Sequence, residues 1–410
     1  MSGALEPFRS PAFRFLFVGR FVSYLGTAIA PVAVAFAVLD LGGSASDLGL
    51  VLAARSVPMI VFVLVGGVIA DRLPRQFVLV ASNGLSAVTQ AAAAALLLSD
   101  NASIASLMAL EAVNGASNAF LFPAIVGITP QTVSPPVLQQ ANASLRLGQN
   151  AAFIGGSAVA GFLVATIGSG WSLAIDAASF ALGALFLSRI RLPRGDRIVG
   201  GSALRELREG WTEFRARTWV WVIVVQFTFV NLALACAFTT LGPVIADDTV
   251  GRRVWGLVLA SQAIGLILGG LLALRVRPPR PLRFGVAFSV LIAPLLGALA
   301  FAPQALPLVL CAVAAGIGIE VFSVTWDLSL QQHIPSNRLS RVASYDVLGS
   351  FVFIPVGYVA AGPLSDAIGI TATVAGCAVL ALASALGSLF VRDVRDLRRT
   401  DVDAAPARAS

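Results

Sequence analysis

Three carboxylates in this chain stand where carboxylates are expensive. Glu320 lies mid-run in Gly316-Ile317-Gly318-Ile319-Glu320, Glu111 lies seven residues inside another apolar run, and Asp176 opens Asp176-Ala177-Ala178-Ser179-Phe180 in a third. A charge at the centre of a membrane-spanning helix costs about 2.5–3.5 kcal/mol on insertion scales, so a chain that keeps one there has a use for it. Low dielectric favours the neutral acid, and a carboxyl that takes up and releases a proton is what proton transfer requires. Glu320 is the foremost candidate because it is too deep to snorkel; Glu111 and Asp176 follow. The structural alternative is pairing with Arg20 or Arg55, which also lie inside apolar runs, or a hydrogen bond to a neighbouring helix. Arg146 is near enough to the end of its run to reach the headgroups. His333, the only histidine, falls in a polar connection and reads as a solvated loop residue.

The elements that must position these groups are membrane spans. Hydrophobic residues make up 57% of the 410 positions and charged residues 12%, a balance that belongs in a bilayer. All 28 basic side chains are Arg, and the net charge is +7. That charge is no nucleic-acid footprint, because the Arg residues sit in short turns between apolar runs, where the positive-inside rule accounts for them. Cys236, Cys311 and Cys377 fall inside apolar runs at spacings that suit neither a metal nor a disulfide framework, and they read as small hydrophobes. The first run begins at Phe13 and continues past signal-peptide length without a small-residue cleavage site, so it is expected to be retained.

A span needs about 20 apolar residues. Twelve stretches qualify: 13–39, 47–70, 76–98, 104–128, 142–166, 170–190, 219–243, 254–274, 284–302, 306–328, 342–365 and 369–391. The connections after spans 2, 6, 8 and 10 carry Arg72 and Arg75, then eight Arg from Arg189 to Arg217, then Arg275, Arg277, Arg280 and Arg283, then Arg338 and Arg341. The opposite connections carry Asp40, Asp47, Asp100, Asp247, Asp248 and Asp366 with only Arg252 and Arg253. Both termini are therefore expected in the cytoplasm. The chain divides into a six-helix half over 1–190, a linker over 191–218, a second half over 219–391 and a tail over 392–410. In the linker Leu204, Leu207, Trp211 and Phe214 recur at helical spacing among charges, which predicts an amphipathic helix at the membrane interface. The halves repeat each other. Gly115 and Gly316, Leu138 and Leu339, Gly148 and Gly349, Gly156 and Gly357, Gly161 and Gly362, and Gly168 and Gly369 all stand 201 residues apart. Gly49-Leu50-Val51-Leu52-Ala53 recurs as Gly256-Leu257-Val258-Leu259-Ala260 at a slightly different offset.

Between spans 2 and 3 runs Gly67-Val68-Ile69-Ala70-Asp71-Arg72-Leu73-Pro74-Arg75-Gln76. This resembles the signature loop of the major facilitator superfamily of transporters, with Pro74 where a Gly is usual and Gln76 in place of the last basic residue. Asn142 after Gln139-Gln140-Ala141, and Gly156-Ser157-Ala158-Val159-Ala160-Gly161 with Ser157 in place of a Pro, resemble span 5 of the drug:proton antiporter group with twelve spans. The Asp176–Phe180 stretch and the run from Trp326 through Gln331-Gln332-His333-Ile334-Pro335 to Pro355 and Gly362-Pro363 are similar to the macrolide-efflux and enterobactin-exporter branch.

The resemblance implies an all-α integral membrane protein of twelve helices in two pseudo-symmetric six-helix halves, with a substrate path between them. It implies a conformational gate of Gly67, Asp71, Arg72 and Arg75, in which Asp71 faces the start of span 11 near Arg341, with Asp346 a possible further member. Many drug exporters have a basic residue where Glu111 stands; that departure from the family pattern makes Glu111 either a second proton site or a near-surface acid. Gly148, Gly155, Gly156 and Gly161 would let span 5 pack closely or bend. Tyr24, Asn114, Asn118, Gln226, Asn231, Phe322 and Trp326 would face the cavity, whose apolar wall suits an amphipathic or hydrophobic solute. The expected function is proton-coupled efflux of a drug or secondary metabolite by alternating access. The alternatives are a siderophore exporter or lysophospholipid flippase on the same scaffold, and, from another class, a transport-inactive membrane receptor. No enzyme activity, cofactor or metal is expected. The expected partners are the proton gradient, a small molecule and the lipid bilayer of a bacterial inner membrane, for a protein that acts as a monomer. No phosphate-binding Gly-Lys-Ser/Thr loop occurs, which excludes an ATP-driven pump.

Overall fold

A computed structural model of the chain describes residues 5–191, 211–212, 214–335, 342, 345–346 and 348–399, with the side chains of 63–72, 122–123, 126–127, 139 and 158 outside the description. The linker's amphipathic stretch before Trp211 and the residues around Arg341 therefore lie outside the described residues. Every described regular element is a helix.

Span 1 is Pro11–Asp40, span 2 Ala45–Arg72 and span 3 Arg75–Leu98. The Ser10 hydroxyl caps span 1 by accepting from the Phe13 amide, with Pro11 at the first turn. Ser44 and Asp47 exchange side-chain and backbone hydrogen bonds at the start of span 2, and Ser103 and Ser106 do the same before Ile104. Span 4 is divided at Phe120 into Ile104–Ala119 and Leu121–Thr132. Leu138–Ser188 is one helical path of 51 residues. At 1.5 Å per residue it would be more than twice the thickness of a bilayer core, so it has to turn. It turns at Gly168, whose φ of 83° needs glycine; spans 5 and 6 lie on either side. Span 7 runs Thr218–Ala233, a π-helical stretch Leu234–Leu241, and Gly242–Asp248. The widening falls just before Pro243, which lacks an N–H and crowds the preceding turn. Span 8 is Arg252–Arg275, span 9 is Pro281–Ser289 and Ile292–Phe301, and span 10 is Ala305–His333. Span 11 includes Ile354–Ile368, and span 12 is Ile370–Phe390. Ten helices among the described residues are long and apolar enough to cross a membrane. Neither part of span 4, divided at Phe120, is long enough by itself to be among them.

The repeat is visible in the backbone. Gly369, 201 residues after Gly168, makes the same turn with φ of 87°. A side chain at Gly156 would meet the Leu25 carbonyl and the Ala28 methyl, and one at Gly357 would meet the Leu232 carbonyl and the Ala235 methyl. Gly148 sits on the Phe17 ring as Gly349 sits on Val224.

The buried core is distributed unequally between the two membrane faces. On the acid-bearing face one cluster runs continuously through both halves, including Phe36, Leu48, Leu107 and Leu173 with Leu241, Trp255, Leu296 and Leu308. On the Arg-rich face the halves keep separate clusters, one around Leu16, Leu79 and Ile128 and one around Trp219, Val286 and Trp326. The contacts that join the halves match this pattern. Gly161 of span 5 lies directly on Gly256 of span 8, Gly49 of span 2 on the Tyr358 carbonyl, and Gly362 of span 11 on Ser46. Small residues at these positions let backbones touch in the absence of a water-driven force.

Candidate functional site

Glu111 is 2% exposed and accepts two hydrogen bonds, from Arg55 Nη1 at 3.2 Å and from Gln90 Nε2 at 3.0 Å. The packing that brings them together is local. Gly115, one turn after Glu111, lies against the Arg55 carbonyl, so spans 2 and 4 approach to backbone contact. Asp176 of span 6 is fully buried, and neither carboxylate oxygen has a partner among the described residues. It faces span 1 at Gly26, where a Cβ would collide with its Oδ1. Ser179 Oγ bonds the Asp176 backbone carbonyl and lies beside the carboxylate, which has no ion-pair partner among the described residues. The charges whose fields reach Asp176 are Arg55 and Glu111, and Arg55 also reaches Tyr358 of span 11. Counted along their helices, all three charges lie roughly 10–15 Å in from the acid-bearing face, near the mid-plane of a ~30 Å core.

Glu320 stands apart from this group. It is half-buried in span 10, its side chain lies against Gly269 and Gly270 of span 8, and it makes no hydrogen bond or ion pair to a described residue. Its charged neighbours are Asp327 and Arg146. Arg146 Nη1 lies 3.2 Å from Asp327 Oδ2, which joins span 5 to span 10 across the Arg-rich face. Arg146 is thus an inter-half tie and does not snorkel to the headgroups. Asp327 went unnoticed in the sequence, although it follows Glu320 by seven residues, two turns along one helical face.

The expected gate residues separate. The side chains of Asp71 and Arg72, together with Gly67, belong to the stretch 63–72, and Arg341 is likewise outside the described residues, so no latch is described. Arg75 is half-buried at the start of span 3. Gln76 Nε2 donates to the carbonyls of Leu187, Ser188 and Ile190 at 3.1, 3.1 and 2.7 Å. It thereby satisfies carbonyls left open at the end of span 6. Asp346 accepts from Trp326 Nε1 at 2.9 Å and from Ser350 Oγ at 3.2 Å, so it anchors span 11 to span 10.

The cavity set also divides. Gln226 is buried with both ends of its amide satisfied, donating to Ser289 Oγ and accepting from Ser388 Oγ, so it ties spans 7, 9 and 12 together. Asn114 is fully buried and donates to Thr89 of span 3, while Asn118 donates to Asn114. Asn231 donates to the Ser350 carbonyl. These amides bond between or along helices. Phe322 stacks on Phe227 at 4.0 Å and on Trp326 at 6.3 Å, an aromatic column on the Arg-rich side of the second half. Tyr24 is half-buried beneath Arg20. Gly148, Gly156 and Gly161 are all close-packing contacts, the first two with span 1 and the last with span 8 of the other half.

On the acid-bearing face, sequence reading left a clamp unrecognised. Arg252 of span 8 pairs with Asp40 of span 1 at 2.6 Å and with Asp247 of span 7 at 2.7 Å, and its guanidinium lies 4.8 Å from the Phe36 ring centre. Ser169 at the turn between spans 5 and 6 donates to the other Asp40 oxygen. Both halves are thus tied at one face by a bidentate Arg.

Two helical halves that share one apolar core at one face, and at the other keep separate cores bridged by the exposed Arg146–Asp327 pair, around buried charge at mid-membrane, define a membrane transporter of the alternating-access kind. The family model of the Major Facilitator Superfamily matches residues 16–345, and the chain belongs to that superfamily. The chain is 28% identical to the multidrug efflux pump Tap of Mycolicibacterium fortuitum over 91% of its length and 93% of the relative's. It is 22% identical to macrolide efflux protein A of Streptococcus pyogenes (93% and 96%) and 27% identical to the enterobactin exporter EntS of Escherichia coli O1:K1 / APEC (81% and 80%). Among solved structures, a bacterial homologue of the lysosomal transporter Spinster in an inward-facing, unoccupied conformation matches with a TM-score of 0.73 at 16% identity, over 95% of this chain and 98% of that one. The nucleoside transporter NupG matches at 0.71 and 14%, over 92% and 98%. These last two share the fold.

Proposed function

We propose that this chain is a proton-driven exporter of hydrophobic or amphipathic compounds, drugs or secondary metabolites among them. It would work as a monomer in a bacterial inner membrane with both termini in the cytoplasm, and it would need no cofactor. Efflux pumps among the relatives support the direction of transport. The positive-inside distribution of Arg supports an orientation in which the face with separate cores is cytoplasmic, where a compound would enter.

The observation that carries the coupling is Asp176: a carboxylate fully buried at mid-membrane, without an ion-pair partner among the described residues, within the field of an Arg55–Glu111 pair. The ionised form is the costly state in such a site, and a proton removes that cost. Arg55 and Glu111 hold opposite charges together and need no proton. Asp176 is therefore the group that binds the transported proton, and the Arg55–Glu111 pair sets the field around it. Glu320, half-exposed beside Asp327 and Arg146, lines the approach from the Arg-rich side. The gate assigned to Asp71 and Arg341 remains part of the proposal. A drug accumulation screen in an efflux-deficient host tests the function. Cells expressing the chain should accumulate less of one or more lipophilic dyes or macrolides, and a protonophore should abolish the difference. Lower accumulation that persists with the gradient collapsed would contradict proton drive. The enterobactin exporter among the relatives favours one narrower cargo, a siderophore, which a secretion assay in the same host would reveal.

A further inference from the structure

Arg20 is a second buried charge that the coupling group leaves unexplained. It lies in the third turn of span 1, about 14 Å in from the helix start on the Arg-rich face, and is 5% exposed. No carboxylate, carbonyl or hydroxyl among the described residues accepts from it, and its buried Nε has no partner. Its one contact of note is with Tyr24, whose ring centre lies 4.2 Å from the guanidinium carbon. Its neighbours along the helix are engaged elsewhere: Gly19 against Gly183 of span 6, Ser23 donating to Asn83 of span 3, and Phe17 against Gly148 of span 5.

The fold does not demand this charge. The first spans of the two halves are offset by 207 residues, as the Leu25/Leu232 and Ala28/Ala235 contacts show, and the position equivalent to Arg20 is Phe227, stacked on Phe322. A guanidinium held in a membrane span costs several kcal/mol without an anion. It presents a planar fork of donors matched to a carboxylate, and stacking on an aromatic face leaves that fork free. Arg20 also lies on the side where the halves keep separate cores, the side from which a compound would enter.

We propose that Arg20, backed by Tyr24, is a subsite for a carboxylate or comparable oxyanion on the transported compound. This rests on the efflux reading above and narrows it to amphipathic compounds that carry an acidic group as well as an apolar body. The test uses a matched pair of dyes, rhodamine B with its free carboxylate and the ethyl ester of the same dye. Transport is followed in proteoliposomes under a pH gradient, and binding to the purified protein by fluorescence anisotropy. In wild type, rhodamine B should bind more tightly than its ester. Arg20→Gln should weaken rhodamine B binding and raise its KM by about tenfold or more, the size of one lost hydrogen bond to a charged group, and should leave the ester unchanged. Arg20→Lys, which keeps the charge and loses the fork, should fall between. Equal effects of Arg20→Gln on both dyes, no effect on either, or wild-type binding of the ester alone would overturn the subsite. If wild type binds both dyes but pumps neither, the efflux reading fails, while anisotropy still decides the subsite.

Discussion

The two halves of this molecule solve one packing problem with and without charge. In the first half Gly115 lies on the carbonyl of Arg55; in the second, Gly316 lies on the carbonyl of Gln262 in the same way. Carried across by the same offsets, Arg55 corresponds to Gln262, Glu111 to Ala312 and Asp176 to Cys377. The second half therefore builds its spans 8, 10 and 12 without an ion pair at mid-membrane, and buries Ala312 fully and Cys377 almost so. The same backbone approach does not need Arg55, Glu111 or Asp176. A chain that places three charges where its own repeat does without them carries them for work, and the work we propose for them is coupling to an ion.

The comparison can be broken or sharpened by substitution, with effects on stability read from thermal unfolding in detergent. The largest effect is expected from Arg55→Ala, which strands Glu111 without its cation and should cost about 3–5 kcal/mol. The double change to the second half's residues, Arg55→Gln with Glu111→Ala, should recover most of that loss. Equal damage from the single and double variants would mean that the ion pair is structural after all. Gly115→Leu and Gly316→Leu should each cost about 1–3 kcal/mol by driving a side chain into a backbone carbonyl, and by similar amounts if the two halves share their packing. At the faces, Arg252→Ala removes the tie to Asp40 and Asp247, a part-exposed cluster worth about 1 kcal/mol. It should increase labelling of Ser46→Cys, which packs on Gly362 of the other half, by a membrane-impermeant thiol reagent, and unchanged labelling would dissociate the clamp from closure. Arg146→Ala breaks a single exposed bridge to Asp327 and should shift stability by less than about 1 kcal/mol.

Much of this was legible in the sequence because bilayers constrain chains severely. Apolar runs, Arg-bearing turns and the 201-residue spacing gave the spans, the faces and the repeat, and Gly168 and Gly369 make matching turns as that spacing requires. What sequence could not supply was partnership across space. Glu111 and Asp176 looked alike as acids inside apolar runs, yet one is held in an ion pair and the other has no cation in contact among the described residues. Glu320 drew notice by its depth in the run, but half of its surroundings are open. The family resemblance assigns polar side chains such as Gln226 and Asn114 to the cavity, but it cannot distinguish a residue facing a cavity from one bonded to the next helix. Asp40 and Arg252 read as ordinary residues of short connections, because their 212-residue separation hides the pairing.

Substrate-driven proton movement in proteoliposomes of wild type and Asp176→Asn, with a trapped pH-sensitive dye, tests the central claim most directly. Asp176→Asn should keep substrate counterflow, which needs alternating access alone, and should lose proton movement linked to substrate. An Asp176→Asn protein that moves protons with substrate as wild type does would contradict the account and return the proton to Glu320 or Glu111.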